Sequence, residues 1–401
     1  VPHTTHRFDV AIVGGGIAGL AVAWRAQQRG LRTVVLERDA LAGAATRVAA
    51  GMLAPISEAR VGERGLLALS RASLERYPGF VAELAEASGR DPGYSACGTL
   101  LVARDRDEAE ALERELAERE TMGLEVERLL PSEARRREPA LAPTLRLALE
   151  IPGDHAIDPR SLSAALATAV ERSGGVLREH AEVAAVALSD DGERIVGVEL
   201  AALGAHAATA GRPIAAHDAE RIAADQVVVA AGAWADRLAG LPTHARVPVR
   251  PVKGQILRLR DSAGPGLLSR VIRMQPGYLV PRGDGRYVLG ATMEEQGFDT
   301  APTAGGIFEL LRDAIELVPG VSELQIEEVA AGLRPGTPDN APVLGRGALD
   351  GLHWAAGCFR HGILLAPIVA DALAATLAGE PLPDVAQPFG AHRFAHEAVP
   401  S

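Results

Sequence analysis

The stretch that most constrains the fold is Phe8 to Glu37, FDVAIVGGGIAGLAVAWRAQQRGLRTVVLE. An apolar run, Val10 to Val13, enters Gly14-Gly15-Gly16-Ile17-Ala18-Gly19. A helix-period segment to Gln28 follows, and then a second apolar run, Thr33 to Leu36, closed by Glu37. This order reads as a strand-helix-strand unit that binds a dinucleotide. Gly14 permits the tight turn, Gly16 lets backbone approach a pyrophosphate, and Gly19 lets the helix lie close to the strand. The helix N-terminus then faces phosphate, and the Glu37 carboxylate can accept from ribose hydroxyls. An acid at that place selects an unphosphorylated ribose, so FAD or NAD over NADP.

The sequence has 401 residues, enough for two domains, and 47% of them are hydrophobic. A formal net charge of -11, with no basic cluster, argues against a nucleic-acid surface. Cys97 and Cys358 stand far apart in no metal or redox spacing, so neither a disulfide framework nor a metal site is expected, and a reducing cytoplasm fits. No apolar run reaches the length of a membrane span, and no signal peptide is evident, so a soluble chain is expected. His3 and His6 are read as part of a disordered N-terminal tail.

Beyond Glu37, the small-residue run DALAGAATRVAAGMLAP has no clean period and suits a backbone lying against a flat cofactor. Helical periods mark Val61 to Ser88 and Asp105 to Met122, the latter carrying a solvated charged face. Asp158-Pro159 reads as a cap and first residue of a helix through Glu171. VLREHAEVAAVAL is expected as one strand, returned by RIVGVEL after an Asp-Gly turn; Ala201 to His217 is expected as a loop insertion. Gln226 to Ala231 is a buried parallel strand ending at Gly232, and alternating strands over 245–290 predict an antiparallel sheet. Helices are expected over Gly305 to Leu317 and Ile363 to Leu377, with a Pro-rich tail as solvated cover.

Several motifs taken together resemble the FAD-dependent amino-acid oxidases of the D-amino-acid oxidase type, closest to the bacterial glycine oxidases linked to thiamine biosynthesis. They are the glycine fingerprint, GMLAP at 51–55, PVKG at 251–254, YLVPR at 278–282, GATM at 290–293, AGLRPGTPD at 331–339 and AAGCFRHGILLAP at 355–367. The resemblance implies an α/β fold: a doubly wound, Rossmann-like FAD-binding domain (1–90, 151–242 and 327–401) interleaved with an antiparallel-sheet substrate domain (91–150 and 243–326). It implies non-covalent FAD, with Gly14, Gly16, Ile17, Ala18 and Gly19 at the pyrophosphate and Glu37, Arg38 and Val183 at the adenosine side. Ala45, Thr46, Ala50, Gly51 and Met52 would meet the flavin, as would Gly232 and the run Cys358, Phe359, Arg360, His361, Gly362, Ile363 and Leu364.

By the same resemblance Arg334 and Tyr278 hold a substrate carboxylate, and Arg360, Met52 and Met293 complete the catalytic set. A guanidinium makes two parallel bonds to a carboxylate, the one handle common to all amino acids, and a neutral phenol adds a third. Taken alone, Arg334 would read as a surface or ion-paired arginine, Tyr278 as a core tyrosine and His361 as a loop histidine. Arg360 to Leu364 is expected to open the last helix, its N-H groups facing the reduced flavin. Arg47 and the run Arg273 to Gly277 depart from the family pattern. The activity implied by the resemblance is oxidation of glycine and small D- or N-methyl amino acids by dioxygen, in a cytoplasmic homo-oligomer, with thiazole synthesis for thiamine as an outlet. A broad D-amino-acid oxidase, a dehydrogenase passing electrons to another acceptor, and a non-catalytic dinucleotide-binding scaffold are the alternatives. Met52 and Met293 filling the pocket would favour glycine, sarcosine and D-alanine over bulky or acidic substrates.

Overall fold

A computed structural model describes residues 7–201, 220–262, 264 and 266–394. His3, His6 and nearly all of the expected insertion at 201–217 lie outside the described residues. The fold is mixed α/β.

The first sheet has a parallel centre, in the order Val176–Arg178, Thr33–Leu36, Phe8–Val13, Arg221–Val229, Leu352–Ala356. Its centre is buried on both faces, as parallel strands are: Thr33–Leu36, Leu352–Ala356 and the runs 10–13 and 227–229 are closed to solvent. Alternation sorts their side chains into two cores. Val10, Ile12, Val35 and Val228 face the helices Ile17–Gln28, Arg64–Ser88, Pro159–Arg172 and Ala366–Leu377. Ala11, Val13, Val34 and Val227 face the hairpin Val183–Leu188/Ile195–Leu200 and residues 235–249. The helix Pro159–Arg172 begins as its sequence requires: Asp158 accepts from the Arg160 N-H at 3.0 Å and Pro159 takes the first helical position.

The second sheet runs Gln325–Gly336, Arg250–Arg260, Arg286–Gly290, Tyr278–Pro281, Val271–Arg273, Thr99–Ala103, Leu147–Ile151, Glu127–Leu129. Every pair is antiparallel except Val271–Arg273 with Thr99–Ala103. The helix Ala304–Leu317 lays Leu310, Ala314 and Leu317 against Leu257, Leu259 and Leu289 of this sheet.

Four local expectations change. The run from Val176 to Leu188 is two strands: His180 turns the chain at φ 55°, so Val176–Arg178 joins the parallel sheet while Val183–Leu188 enters the hairpin. The strand Gln325–Gly336 crosses the expected boundary at 326/327 and is paired along its length with Arg250–Arg260, so it belongs to the second sheet. The last α-helix starts at Ala366, with Pro367 in its first turn, and Phe359–His361 is a separate 3-10 turn. The helix start expected at Arg360 to Leu364 is therefore displaced. The Pro-rich tail is packed and not mere cover, because Ala386 and Phe389 enter the core beside Leu66 and Leu69.

Truncating a buried phenyl ring removes its transfer free energy and leaves a cavity. Phe389→Ala should therefore lower stability by about 3 kcal/mol, read as a fall in the urea midpoint. An unchanged midpoint would return the tail to solvated cover.

Candidate active site

One cavity of about 1170 Å³ runs from the glycine turn to the second sheet. That exceeds the roughly 300–1,000 Å³ of ordinary small-ligand sites and suits a dinucleotide with a substrate beside it. Every residue expected at cofactor or substrate lines it except Gly19, His361 and Leu364. Leu364 is core, its carbonyl accepting from Ser73 Oγ at 2.7 Å. Gly19 is buried against the strand, where a Cβ would stand 2.0 Å from the Gly14 carbonyl oxygen. Gly14 itself has φ 107°, and a Cβ there would meet the Ala230 carbonyl at 2.5 Å.

One end of the cavity is built on the glycine turn. Gly16 gives the helix Ile17–Gln28 no capping side chain, leaving first-turn N-H groups for an anion. The Ile17 N-H is the exception, since it donates to Thr46 Oγ1 at 3.0 Å. Glu37 accepts from the N-H groups of Gly15 (2.8 Å) and Asp39 (3.0 Å), which fixes its carboxylate at the cavity wall. Arg38 lies over the ring of Trp234, 4.5 Å from its centroid, and both line the cavity. These features fit FAD: a pyrophosphate turn, an acid for ribose and an extended cavity.

At the other end Arg334 faces the cavity from the strand Gln325–Gly336. Its Nη1 donates to the carbonyls of Lys253 (3.3 Å) and Thr292 (3.1 Å), and among the described residues no carboxylate lies within 4 Å. Its guanidinium lies flat over Gly254, where a Cβ would be 2.5 Å from both terminal nitrogens. Any larger residue at 254 would push Arg334 away. Tyr278 stands nearby, half-buried, and burial raises its pKa against the opposing pull of Arg334, so the phenol stays protonated at neutral pH. Met52 and Met293 both line the cavity, Met293 with 59% of its surface exposed.

Glu58 went unread in the sequence. It lines the cavity with its oxygens 3.5 Å from Arg360 Nε, 3.9 Å from Arg273 Nη2 and 3.5 Å from His361 Nδ1. Burial alone would raise its pKa, yet the cations beside it hold it below the ordinary carboxylate value. His361 is pushed down to about 4, chiefly by burial, so it is neutral at pH 7 and the charges that act on Glu58 are Arg273, Arg360 and, more weakly, Arg334. Arg360, expected over the flavin, is thus engaged with Glu58 and with Glu63 at 3.5 Å while still bordering the cavity. The segment before Glu58 is pinned: buried Asp154 accepts from the N-H groups of Ile56 (3.1 Å) and Ser57 (3.0 Å), and Arg273 donates to the Ser57 carbonyl. Arg47 does not border the cavity and pairs with Glu328 at 3.8 Å.

The parallel sheet, glycine turn and acid define a dinucleotide-binding α/β protein. The chain belongs to the DAO family, FAD dependent oxidoreductase, whose model matches residues 9–376. Glycine oxidase of Geobacillus kaustophilus is 35% identical over 366 residues, 91% of each chain. The bifunctional protein ThiO/ThiG of Synechocystis is 36% identical over 392 residues, 96% of this chain; the match spans 54% of that protein, about half its length. Among solved structures, glycine oxidase from Geobacillus kaustophilus superposes with a TM-score of 0.85 at 33% identity, covering 96% of this chain and 99% of that one. Iminodiacetate oxidase from Chelativorans sp. BNC1 gives 0.81 at 29% identity, covering 95% and 98%.

Because His361 is protonated near pH 4 when folded and near 6.5 when unfolded, the unfolded chain binds the extra proton between those values. Its contribution to stability is complete above pH 6.5 and is lost as pH falls toward 4. Asp154, pushed up to about 6 by burial, acts in the opposite sense below pH 6. Comparison with a variant isolates the histidine. Between pH 7 and pH 5, wild type should lose about 2 kcal/mol more than His361→Gln in urea unfolding; equal losses would mean that His361 is protonated in the fold.

Proposed function

We propose that the chain oxidises glycine and small D- or N-methyl amino acids with dioxygen, using non-covalent FAD. The observation that carries the reading is a half-buried guanidinium without a carboxylate of its own, Arg334, in the cavity that holds the dinucleotide fingerprint. Names borne by similar proteins, glycine oxidase and ThiO/ThiG, support the same substrate and a link to thiamine synthesis.

The amino-acid carboxylate binds the free edge of Arg334 and the Tyr278 hydroxyl, which points Cα-H toward the place of the flavin ring. FAD, when bound, supplies the two-electron acceptor that takes the hydride from Cα and returns both electrons to dioxygen. Amino acid, dioxygen and water thereby give the 2-oxo acid, hydrogen peroxide and ammonia, or methylamine where the substrate is an N-methyl amino acid. Neutral His361 is a weak base and Tyr278 stays protonated, so the ionised acceptor beside them is Glu58, and an amine that binds uncharged needs no dedicated base. Glu58, held ionised, is placed to accept from the amine. Ala18 and Gly16 would meet the pyrophosphate, Glu37, Arg38 and Val183 the adenosine, and Ala45, Ala50 to Met52, Phe359, Arg360, Gly362 and Ile363 the flavin region. From the resemblance the reading extends to a homo-oligomer in the cytoplasm. Among the described residues no helix is long and apolar enough to cross a membrane.

A covalent flavin link needs a thiolate. Cys358 borders the cavity, but burial pushes its thiol up to about 12, and Gly332 occupies the neighbourhood where a linking cysteine stands in related sarcosine oxidases. Acid precipitation should release the yellow colour into the supernatant; colour retained in the pellet would reveal a bond.

Arg334→Ala should keep FAD and lose roughly 30-fold or more in kcat/KM for glycine, since truncating one side of a buried charge pair costs about 2–5 kcal/mol. Arg334→Lys should recover little, because an ammonium cannot make the planar two-bond contact. A peroxide assay reads both. Near-normal peroxide production in both variants would remove the clamp, and turnover only with an artificial acceptor would make the enzyme a dehydrogenase.

A further inference from the structure

Lys253 is the only lysine in the sequence, and it is fully buried. Its ammonium contacts Asp299 at 3.0 Å, Gln296 at 3.3 Å and Glu294 at 3.8 Å. Its backbone makes a two-way bridge with the same segment: the Lys253 N-H donates to the Glu294 carbonyl (2.8 Å) and the Glu294 N-H donates back (3.0 Å). The Lys253 carbonyl and the carbonyl of Thr292, two residues before Glu294, are the two acceptors that fix Arg334 Nη1. Gln255 holds the segment from the next inward position, its N-H donating to Thr292 Oγ1 (2.9 Å) and its amide to Glu294 (2.7 Å). Lys253 does not itself border the cavity.

A buried ammonium is tolerated only when paired, and an apolar residue of like volume would avoid that cost. What the ion pair adds here is direction. The carbonyls on Arg334 lie on two strands of chain, and the Lys253 to Asp299 pair ties the second to the first. We propose that Lys253 is a positioning residue: by clamping residues 292–299 to the strand Arg250–Arg260, it sets the angle at which Arg334 presents its remaining N-H groups to a carboxylate. The inference rests on the reading of Arg334 as the carboxylate clamp.

The test is acetate binding to the FAD-loaded enzyme by titration calorimetry, with glycine kinetics alongside, for wild type, Lys253→Met and Asp299→Asn. Misaligning a binding group through its supporting shell weakens binding by about tenfold. Lys253→Met should raise the acetate Kd and the glycine KM by about that factor, with kcat unchanged. Asp299→Asn should act in the same direction with smaller size. Should Lys253→Met not fold, Asp299→Asn decides, its side chain being half exposed. Wild-type acetate affinity in a folded, FAD-bound variant overturns the proposal, even where its melting temperature falls, because the pair would then serve stability alone. Acetate binding that survives in Arg334→Ala removes the clamp and this inference with it. A wild type that binds acetate, weakened by both variants, yet oxidises no amino acid leaves the positioning role standing and refutes the proposed reaction.

Discussion

The site depends on a cation kept from its natural partner. A guanidinium removed from water needs hydrogen-bond acceptors, and the cheapest arrangement is a neighbouring carboxylate, which would also close the site to any anionic ligand. The chain supplies backbone carbonyls instead. Two of them hold one nitrogen of Arg334, and Gly254 leaves room for the plane of the group. The nearby carboxylate Glu58 is occupied by Arg360 and Arg273. The pairing of Arg250–Arg260 with Gln325–Gly336 makes this possible, because it places Gly254 opposite Gly332, two residues from Arg334.

Around that cation the titrating groups are moved away from neutrality. The Tyr278 hydroxyl keeps its proton, His361 loses its own, and the Cys358 thiol is buried. The cavity thus offers fixed charges and neutral donors. This is the equipment of a site that orients a ligand and leaves the redox chemistry to a cofactor.

The dinucleotide end was legible because its constraints are local. Gly19 and Glu37 act on backbone within about twenty residues, and Asp158-Pro159 starts a helix by rules that span one turn, although Gly14 also leaves room for the remote Ala230 carbonyl. Glu58 was illegible for the opposite reason. It sits in a turn with no period, and its partners Arg273, Arg360 and His361 come from elements more than two hundred residues away. The length of Gln325–Gly336 was hidden likewise, since its glycines blur alternation and its pairing partner is remote. Phe389 looked like part of a Pro-rich tail because no periodic neighbour announces that it fills a gap beside the helix Arg64–Ser88.

The solitary buried lysine has a practical corollary. A protease that cuts only after lysine has a single target bond in this sequence, Lys253–Gly254, and that bond lies inside a strand paired there with Gln325–Gly336 on one side and bridged to Glu294 on the other. Native molecules present it with no accessible side chain. Cutting into two fragments therefore counts opening of the second sheet and is silent to fraying elsewhere, so the chain carries its own reporter of that event.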